Sequence, residues 1–251
     1  MTVKRAVLIA AVFAIAAPAI AQDSVDYLGA QVQADMLRER YDNAAGVRGS
    51  SRRAPAAATT SYASNPLSIA FSRARPVANG QAVRLTYTPT AALQQQAQSE
   101  MLTRLRAKNP EAARTLAVQF QRVNFGKVYR GVVAPFGLRD NDTADILTAY
   151  TALGYLIGSG DADPSPAAVR ALRNQIAPRL AADTRLSSPT GRAKLGEELK
   201  LLFVTLHAGW QSARREGNLA QYSDGVARMF AQQGGDDLRR VRLTDAGFVR
   251  R

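Results

Sequence analysis

The densest carboxylates in the sequence stand together at Asp140, Asp142 and Asp145. Paired carboxylates can perform general acid–base chemistry or bind a hard cation. The same spacing also fits a helix start, with Asp142 at the N-cap and Asp145 reaching back to the cap N–H in a capping box. A calcium loop would need more oxygen ligands and a glutamate at its twelfth position, which DNDTADILTAY does not supply. We therefore favour capping and keep Asp145 as a catalytic candidate.

The single histidine, His207, is the natural candidate for a general base. Such a base needs a nucleophile and an orienting acid, and no G-x-S-x-G motif precedes it. Glu198 stands nine residues earlier, which is too far for an i,i+4 partner. We interpret His207 as a half-buried structural histidine and keep catalysis as the alternative.

An adjacent acidic pair, Glu197 and Glu198, supplies the minimum that a glycan hydrolase requires. Glu198 would be its acid. The spacing of the pair to Lys194 and Lys200 instead predicts an ordinary solvated helix face. We favour the solvated face over catalysis.

Basic residues outnumber acidic ones, with a formal net charge of +13, which favours anionic partners. The sharpest basic cluster closes the chain. It is interpreted either as a solvated, frayed terminus or as a docking site for an anionic surface. Its members are Arg239, Arg240, Arg242, Arg250 and Arg251.

The composition excludes several classes of activity, because the residues that they require are absent from the sequence. The chain has no cysteine, which excludes thiol catalysis and thiolate metal sites, and its one histidine excludes a two-histidine metal motif. We therefore predict no metal and no cofactor.

Five aromatic residues either fill the core or line an aromatic ligand pocket, and we favour the core: Tyr129, Tyr150, Tyr155, Trp210 and Tyr222.

The element that must position these side chains is the stretch from Asn141 to Ile157. Apolar or small residues occupy nearly every side of it, and a helix that is apolar all round is buried all round. It is too short to span a bilayer. We therefore predict a central core helix.

The N-terminus predicts export. Lys4 and Arg5 precede an apolar run, Ala6–Ala17, and a small-x-small site at 19–21, which is the layout of a secretory signal peptide. Cleavage would leave a mature chain starting at Gln22, periplasmic or secreted, with no transmembrane helix. For an exported basic protein we expect anionic lipid, lipopolysaccharide or an acidic protein as partner, rather than nucleic acid.

After this signal peptide (1–21) the pattern predicts a helix over 22–45 and a disordered basic linker over 46–66. Alternating apolar residues over 67–87 fit either a small hairpin or an extended strap. A helical domain then completes 67–251, with a first helix starting at Thr88-Pro89 and a longest helix over Pro189–Glu216. About seven helices with short connections predict an all-α, irregular bundle around the central helix.

Four short motifs carry a resemblance: LTYTP at Leu85–Pro89, DNDTADILTAY at Asp140–Tyr150, VRALRNQIAPRLA at Val169–Ala181 and LTDAGF at Leu243–Phe248. Together they resemble a family of exported bacterial proteins of unknown function. In that family a helix start N-D/N-x-A-D-x-x-x-x-Y and a closing L-T-x-x-G-F recur. The resemblance covers roughly Leu67 to Phe248 and implies export and one domain, with no assigned chemistry.

These observations favour an exported, non-catalytic binding or interaction module for an anionic surface or an acidic partner. The first alternative is a cell-wall or polymer hydrolase that uses Asp145 or Glu198 as its acid or base. The second is a small-ligand carrier with an apolar cavity between its helices.

Overall fold

The computed structural model of the protein describes residues 84–107, 109–234 and 237–251. The predicted signal peptide, the N-terminal helix and the linker lie outside the described residues, as does most of the segment 67–87. The described elements include seven α-helices: α1 Ala91–Arg106, α2 Pro110–Arg122, α3 Phe125–Val133, α4 Thr143–Ser159, α5 Pro166–Ala181, α6 Pro189–Glu216 and α7 Leu219–Gly234. The predicted all-α bundle is confirmed.

Helix α4 is the centre of the bundle, as its sequence predicts. It packs against α5, α6 and α7, and nearly all of its residues are buried. It starts at Thr143, inside the stretch 141–157, because Asp142 serves as the N-cap, as the spacing of the acids predicted. It ends at Ser159, and the next residue, Gly160, has a φ of 68°, in the left-handed region that favours glycine at helix ends.

The other helices begin largely where proline and a polar cap stand together. Asn109, Ser165 and Ser188 cap α2, α5 and α6, each followed by proline in the first turn. The first helix departs from this pattern: Thr90 is its N-cap, so the prediction of a start at Thr88-Pro89 is wrong. The Thr90 hydroxyl accepts from the N–H of Leu93, and Pro89 falls just outside the helix.

Residues 84–87 form an extended strap across the start of α4. Thr86 and Asp142 form an isolated antiparallel bridge, and backbone hydrogen bonds of 3.0 Å run from Tyr87 N to Asn141 O and from Thr143 N to Leu85 O. The side chains of Leu85 and Tyr87 are buried. The described end of the 67–87 segment is therefore a strap.

The C-terminus forms a β-hairpin, β1 Val241–Thr244 and β2 Gly247–Arg250, so its interpretation as a frayed end is wrong. The hairpin packs on α5, where the Gln175 amide accepts from Phe248 N at 2.9 Å and donates to Ala246 O at 3.2 Å. Three short 3-10 helices connect the larger elements: Ala134–Phe136, Thr184–Leu186 and Leu238–Arg240. Within the described ranges, no helix combines the length and the apolarity needed to cross a bilayer.

Candidate functional site

Asp142 caps α4, as predicted, and its side chain is fully buried. One carboxylate oxygen, Oδ1, accepts from the N–H groups of Ala144 (3.0 Å) and Asp145 (3.3 Å). The other, Oδ2, accepts from the N–H of Leu85 on the strap at 3.2 Å. Asp142 therefore closes the first turn of the central helix and also fixes the strap to it.

Asp145 is also buried, but the predicted capping box does not form. Its Oδ2 accepts from the backbone N–H and the Nε of Arg139, both at 3.0 Å, and Oδ1 accepts from Nε of Arg173. Arg139 Nη2 also lies 2.7 Å from Asp142 Oδ2. Two buried carboxylates are thus compensated by two guanidinium groups, which links the start of α4 to the preceding loop and to α5.

A second buried polar cluster was missed by the sequence analysis. Glu197 and Lys200 on α6 are 4% and 2% exposed, so the prediction of a solvated face is wrong for them. Their side chains form an ion pair of 2.6 Å, and Glu197 Oε1 also accepts from the Tyr87 hydroxyl at 2.9 Å. Burial, followed by the nearby Glu197 carboxylate, raises the pKa of Tyr87 far above its ordinary value, so this hydroxyl stays a donor.

A cavity of about 390 Å³ opens beside this second cluster, where α1, α6 and the junction of α2 with α3 meet. Glu197 and Lys200 line it from α6, and Gln94 and Gln98 line it from α1. Its lining is largely polar, so the expectation of an apolar cavity does not describe this one. The five aromatics are buried in, or packed against, the hydrophobic core, which confirms the interpretation favoured from the sequence over a pocket lining.

Glu198 is likewise buried, at 5% exposure, and points toward α1. Its Oε1 forms an ion pair of 2.6 Å with Nη2 of Arg104, while Oε2 accepts no hydrogen bond from the described residues. Burial raises the pKa of Glu198, and the Arg104 guanidinium opposes that rise. The prediction of a solvated position for Glu198 is therefore wrong, because its side chain is buried and paired with Arg104 on α1.

His207 is more deeply buried than the half-buried position predicted for it, at 5% exposure. Its ring stacks on Phe203 at 6.3 Å and meets the edge of Trp210 at 6.1 Å between ring centroids. Burial lowers its pKa to about 4, so the ring is neutral near pH 7. Glu198 lies nine residues away on the same helix, about 13 Å along the axis, so these two candidates do not meet.

The C-terminal arginine cluster divides into two groups. Arg239 and Arg251 serve the fold: Arg239 donates to Gly158 O at 3.1 Å and pairs with Asp224, and Arg251 donates to Val241 O at 3.0 Å and pairs with Asp161. The remaining three are exposed and form no salt bridge with any described residue: Arg240, Arg242 and Arg250.

Most acidic residues in the described part form ion pairs with basic side chains, and because basic residues outnumber acidic ones, the charge that stays unpaired is mainly positive. The paired acids are Glu100, Asp140, Asp142, Asp145, Asp161, Asp183, Glu197, Glu198 and Asp224. No group of three or more histidine, aspartate or glutamate side chains in these ranges is arranged to hold a metal ion.

Comparison with known proteins gives a family but no activity. No curated protein and no solved structure matches the sequence. The model of one family, described as "Family of unknown function (DUF6683)", matches residues 1–251. The chain belongs to this family, DUF6683.

Proposed function

We propose that this protein is an exported, non-catalytic binding protein that associates with anionic lipid surfaces through its C-terminal hairpin. The observation that carries the proposal is the group of exposed arginines Arg240, Arg242 and Arg250, which form no salt bridge with any residue that the structure describes. Internal acids already neutralise Arg239 and Arg251, so the charge of the other three is available to an external partner.

Arg242 and Arg250 lie on the hairpin, and Arg240 is the last residue of the 3-10 helix that leads into it, so all three charges stand on ordered elements. In the antiparallel register, Arg242 faces Val249 and Arg250 faces Val241, which is buried against the body. Val249 is 40% exposed next to Arg242, so an apolar side chain accompanies the charge. Basic and apolar side chains presented together suit the headgroup region of a membrane. Export is supported by the signal-peptide pattern of residues 1–21.

Vesicle sedimentation tests the proposal directly. The protein should bind vesicles of phosphatidylcholine mixed with phosphatidylglycerol and should not bind vesicles of phosphatidylcholine alone. Binding should weaken steeply as salt shortens the Debye length from about 10 Å at 0.1 M to about 3 Å at 1 M. Equal binding to both vesicles, or binding that salt does not change, would overturn the proposal.

A matched pair of variants tests the assignment to the hairpin. R240Q/R242Q/R250Q should lose affinity for the anionic vesicles, by about 1 kcal/mol for each charge removed. R106Q/R114Q/K127Q removes the same charge from exposed positions on α1, α2 and α3 and should bind nearly as well as the wild type. Equal losses in both variants would show that net charge, rather than the hairpin, governs binding.

Two further outcomes would replace lipid as the partner. Salt-dependent capture of a purified acidic protein, without vesicle binding, would redirect the proposal to that class. Clearing of purified peptidoglycan by the wild type, lost in E198Q or D145N variants that stay folded, would make the protein a hydrolase.

A further inference from the structure

The cavity between α1, α6 and the α2–α3 junction has the size of a ligand site. Its volume of about 390 Å³ lies within the range of small-molecule pockets, roughly 300–1,000 Å³. Its lining residues belong to α1, α2, α3, α6 and the loop between α2 and α3, so the C-terminal hairpin takes no part in it. A ligand in this cavity would therefore bind independently of the proposed lipid surface.

Glu197 presents one unpaired carboxylate oxygen at the cavity wall. Its side chain is 4% exposed and lines the cavity. Oε1 is occupied, since it accepts from the Tyr87 hydroxyl at 2.9 Å and lies 2.6 Å from the Lys200 ammonium. Oε2 accepts no hydrogen bond from any described residue, yet it is not sealed from solvent as Oε2 of Glu198 is. A largely buried carboxylate oxygen without a donor favours a ligand that donates hydrogen bonds.

The charges around the cavity disfavour a charged ligand of either sign. Glu197 and Lys200 compensate each other, and the ammonium nitrogen has essentially no contact with solvent, so the accessible charged atom of the pair is the carboxylate oxygen. An anionic ligand would be repelled by that oxygen. A cationic ligand would meet Arg122, an exposed residue of the lining that forms no salt bridge with any described side chain, in a chain of net charge +13. A neutral ligand with hydroxyl donors avoids both costs.

The walls of the cavity carry the other groups that a sugar requires. Gln94 and Gln98 lie one helical turn apart on α1, half-buried, and their amides form no hydrogen bond within the described part of the chain. Each amide carries donors and an acceptor, which match a hydroxyl group. Phe120 and Phe125 line another part of the cavity, packed edge to face with ring centroids 4.8 Å apart. Aromatic rings suit the C–H face of a sugar, because their negative faces attract its slightly positive hydrogens.

We propose that this cavity binds a neutral sugar, whose hydroxyl groups donate to Glu197 Oε2 and pair with the amides of Gln94 and Gln98. A hydrogen bond from a hydroxyl to a carboxylate is about twice as strong as one between neutral groups, so Glu197 supplies the strongest single contact. The carbon atoms of the sugar pack against Phe120 and Phe125.

Sugars matched in shape and different in charge test the proposal by nuclear magnetic resonance on the full chain. The neutral probes are glucose, galactose, mannose and N-acetylglucosamine, and the charged probes are the 2-amino sugar and the uronate of each ring. At least one neutral sugar should produce saturable shifts in the side-chain amide signals of Gln94 and Gln98, with an affinity about tenfold or more above those of its charged counterparts. Absence of saturable shifts with every neutral sugar, or equal binding of a charged counterpart, would refute a site for neutral sugars.

Two matched variants locate the binding site. Q98M removes one amide while keeping the length of the side chain, and it should weaken binding about threefold or more. Q119M makes the same change at a half-buried position on α2 outside the cavity lining and should bind as the wild type does. Unchanged binding in Q98M, or an equal loss in Q119M, would exclude this cavity as the site.

Two further variants test the role of Glu197 and the independence of the site. E197Q should weaken binding about tenfold, because a neutral amide replaces the charged acceptor. This variant also leaves Lys200 buried without its counter-charge, so where it does not fold, the comparison of Q98M with Q119M decides the outcome. A folded E197Q variant that binds the sugar with full affinity would contradict the proposal. The hairpin variant R240Q/R242Q/R250Q should keep full affinity for the sugar, which separates this site from the proposed lipid binding.

Discussion

The hydroxyl of Tyr87 donates a 2.9 Å hydrogen bond to Oε1 of Glu197, a residue 110 positions further along the chain. Through this contact the strap is attached to α6, while its backbone bonds to Asn141 and Thr143 attach it to the start of α4. Gly196 makes room for the ring, since a Cβ there would lie 2.6 Å from Tyr87 Cε1. The strap therefore completes the packing between the two longest helices.

Replacing Tyr87 with phenylalanine should destabilise the fold by about 1–3 kcal/mol, because a buried carboxylate loses its donor. Urea denaturation followed by circular dichroism measures the free energy of unfolding. Y129F is the matched control: the Tyr129 hydroxyl is buried and finds no hydrogen-bond partner among the described residues, so its removal should be neutral or stabilising. Equal losses in the two variants would mean that the Tyr87 hydroxyl contributes no specific stabilisation.

Close packing of α4 against α7 predicts a large effect at Gly154. A Cβ at this position would lie 2.0 Å from Cζ of Phe230, whose ring is fully buried. G154A should therefore cost about 1–3 kcal/mol or more through overpacking, seen as a lower melting temperature.

Gly131 on α3 is the matched control for that substitution. A Cβ there would meet no atom within 4 Å, and the position is exposed in a helix. G131A should stabilise the protein by about 0.5–1 kcal/mol, because alanine loses less backbone entropy in a helix than glycine. A stable G154A variant would show that α4 and α7 are not in close contact at this position.

The helices could be predicted from the sequence because local patterns determine them. Apolar residues on every side of 141–157 indicated the buried helix, and Asp142 was identified as its cap. The hairpin also left a local signal, since Val241 and Leu243 alternate with polar residues before the turn at Asp245 and Ala246. The number of arginines around it led to the wrong expectation of a frayed end.

The polar clusters could not be predicted because their partners are distant in sequence. Glu197 and Lys200 have the i,i+3 spacing of an exposed pair, and only the placement of Tyr87 and α1 covers them. Asp145 looked like a capping acid, yet it is bound by Arg173, 28 residues later. Such contacts depend on tertiary packing and leave no periodic signal in the chain.

Arg173 on α5 pairs with the buried carboxylates of Asp142 and Asp145, so its replacement should lower stability far more than replacement of another arginine on the same helix. R173M removes one of the two guanidinium groups from a pair of buried carboxylates and should cost about 3–5 kcal/mol. Arg170 is exposed on the same helix, so R170M should change the free energy of unfolding by less than about 0.5 kcal/mol. Urea denaturation of both variants measures the difference, and similar small effects would mean that Arg139 alone compensates both acids.

The lowered pKa of the buried His207 ring predicts how the free energy of unfolding depends on pH. Its pKa is about 4 in the folded protein, lowered by burial from the ordinary 6.5 that it regains on unfolding. Between these values the unfolded chain binds a proton that the folded chain does not. The contribution of His207 is therefore complete above about pH 6.5 and is lost as the pH falls toward 4. The loss should reach about 3 kcal/mol, at 1.36 kcal/mol for each pH unit.

Comparison with H207L isolates this contribution, since the variant should lose less stability between pH 6.5 and pH 4.5 than the wild type does. Glu198 acts in the opposite direction, because its raised pKa lets the folded state take up a proton first as the pH falls. It lies about 13 Å from His207 along α6, and neither group contributes to the pKa shift of the other, so its effect should cancel between the two proteins. Parallel pH profiles for wild type and H207L would show that the ring protonates in the folded state near its ordinary pKa, which contradicts the burial of His207 between Phe203 and Trp210.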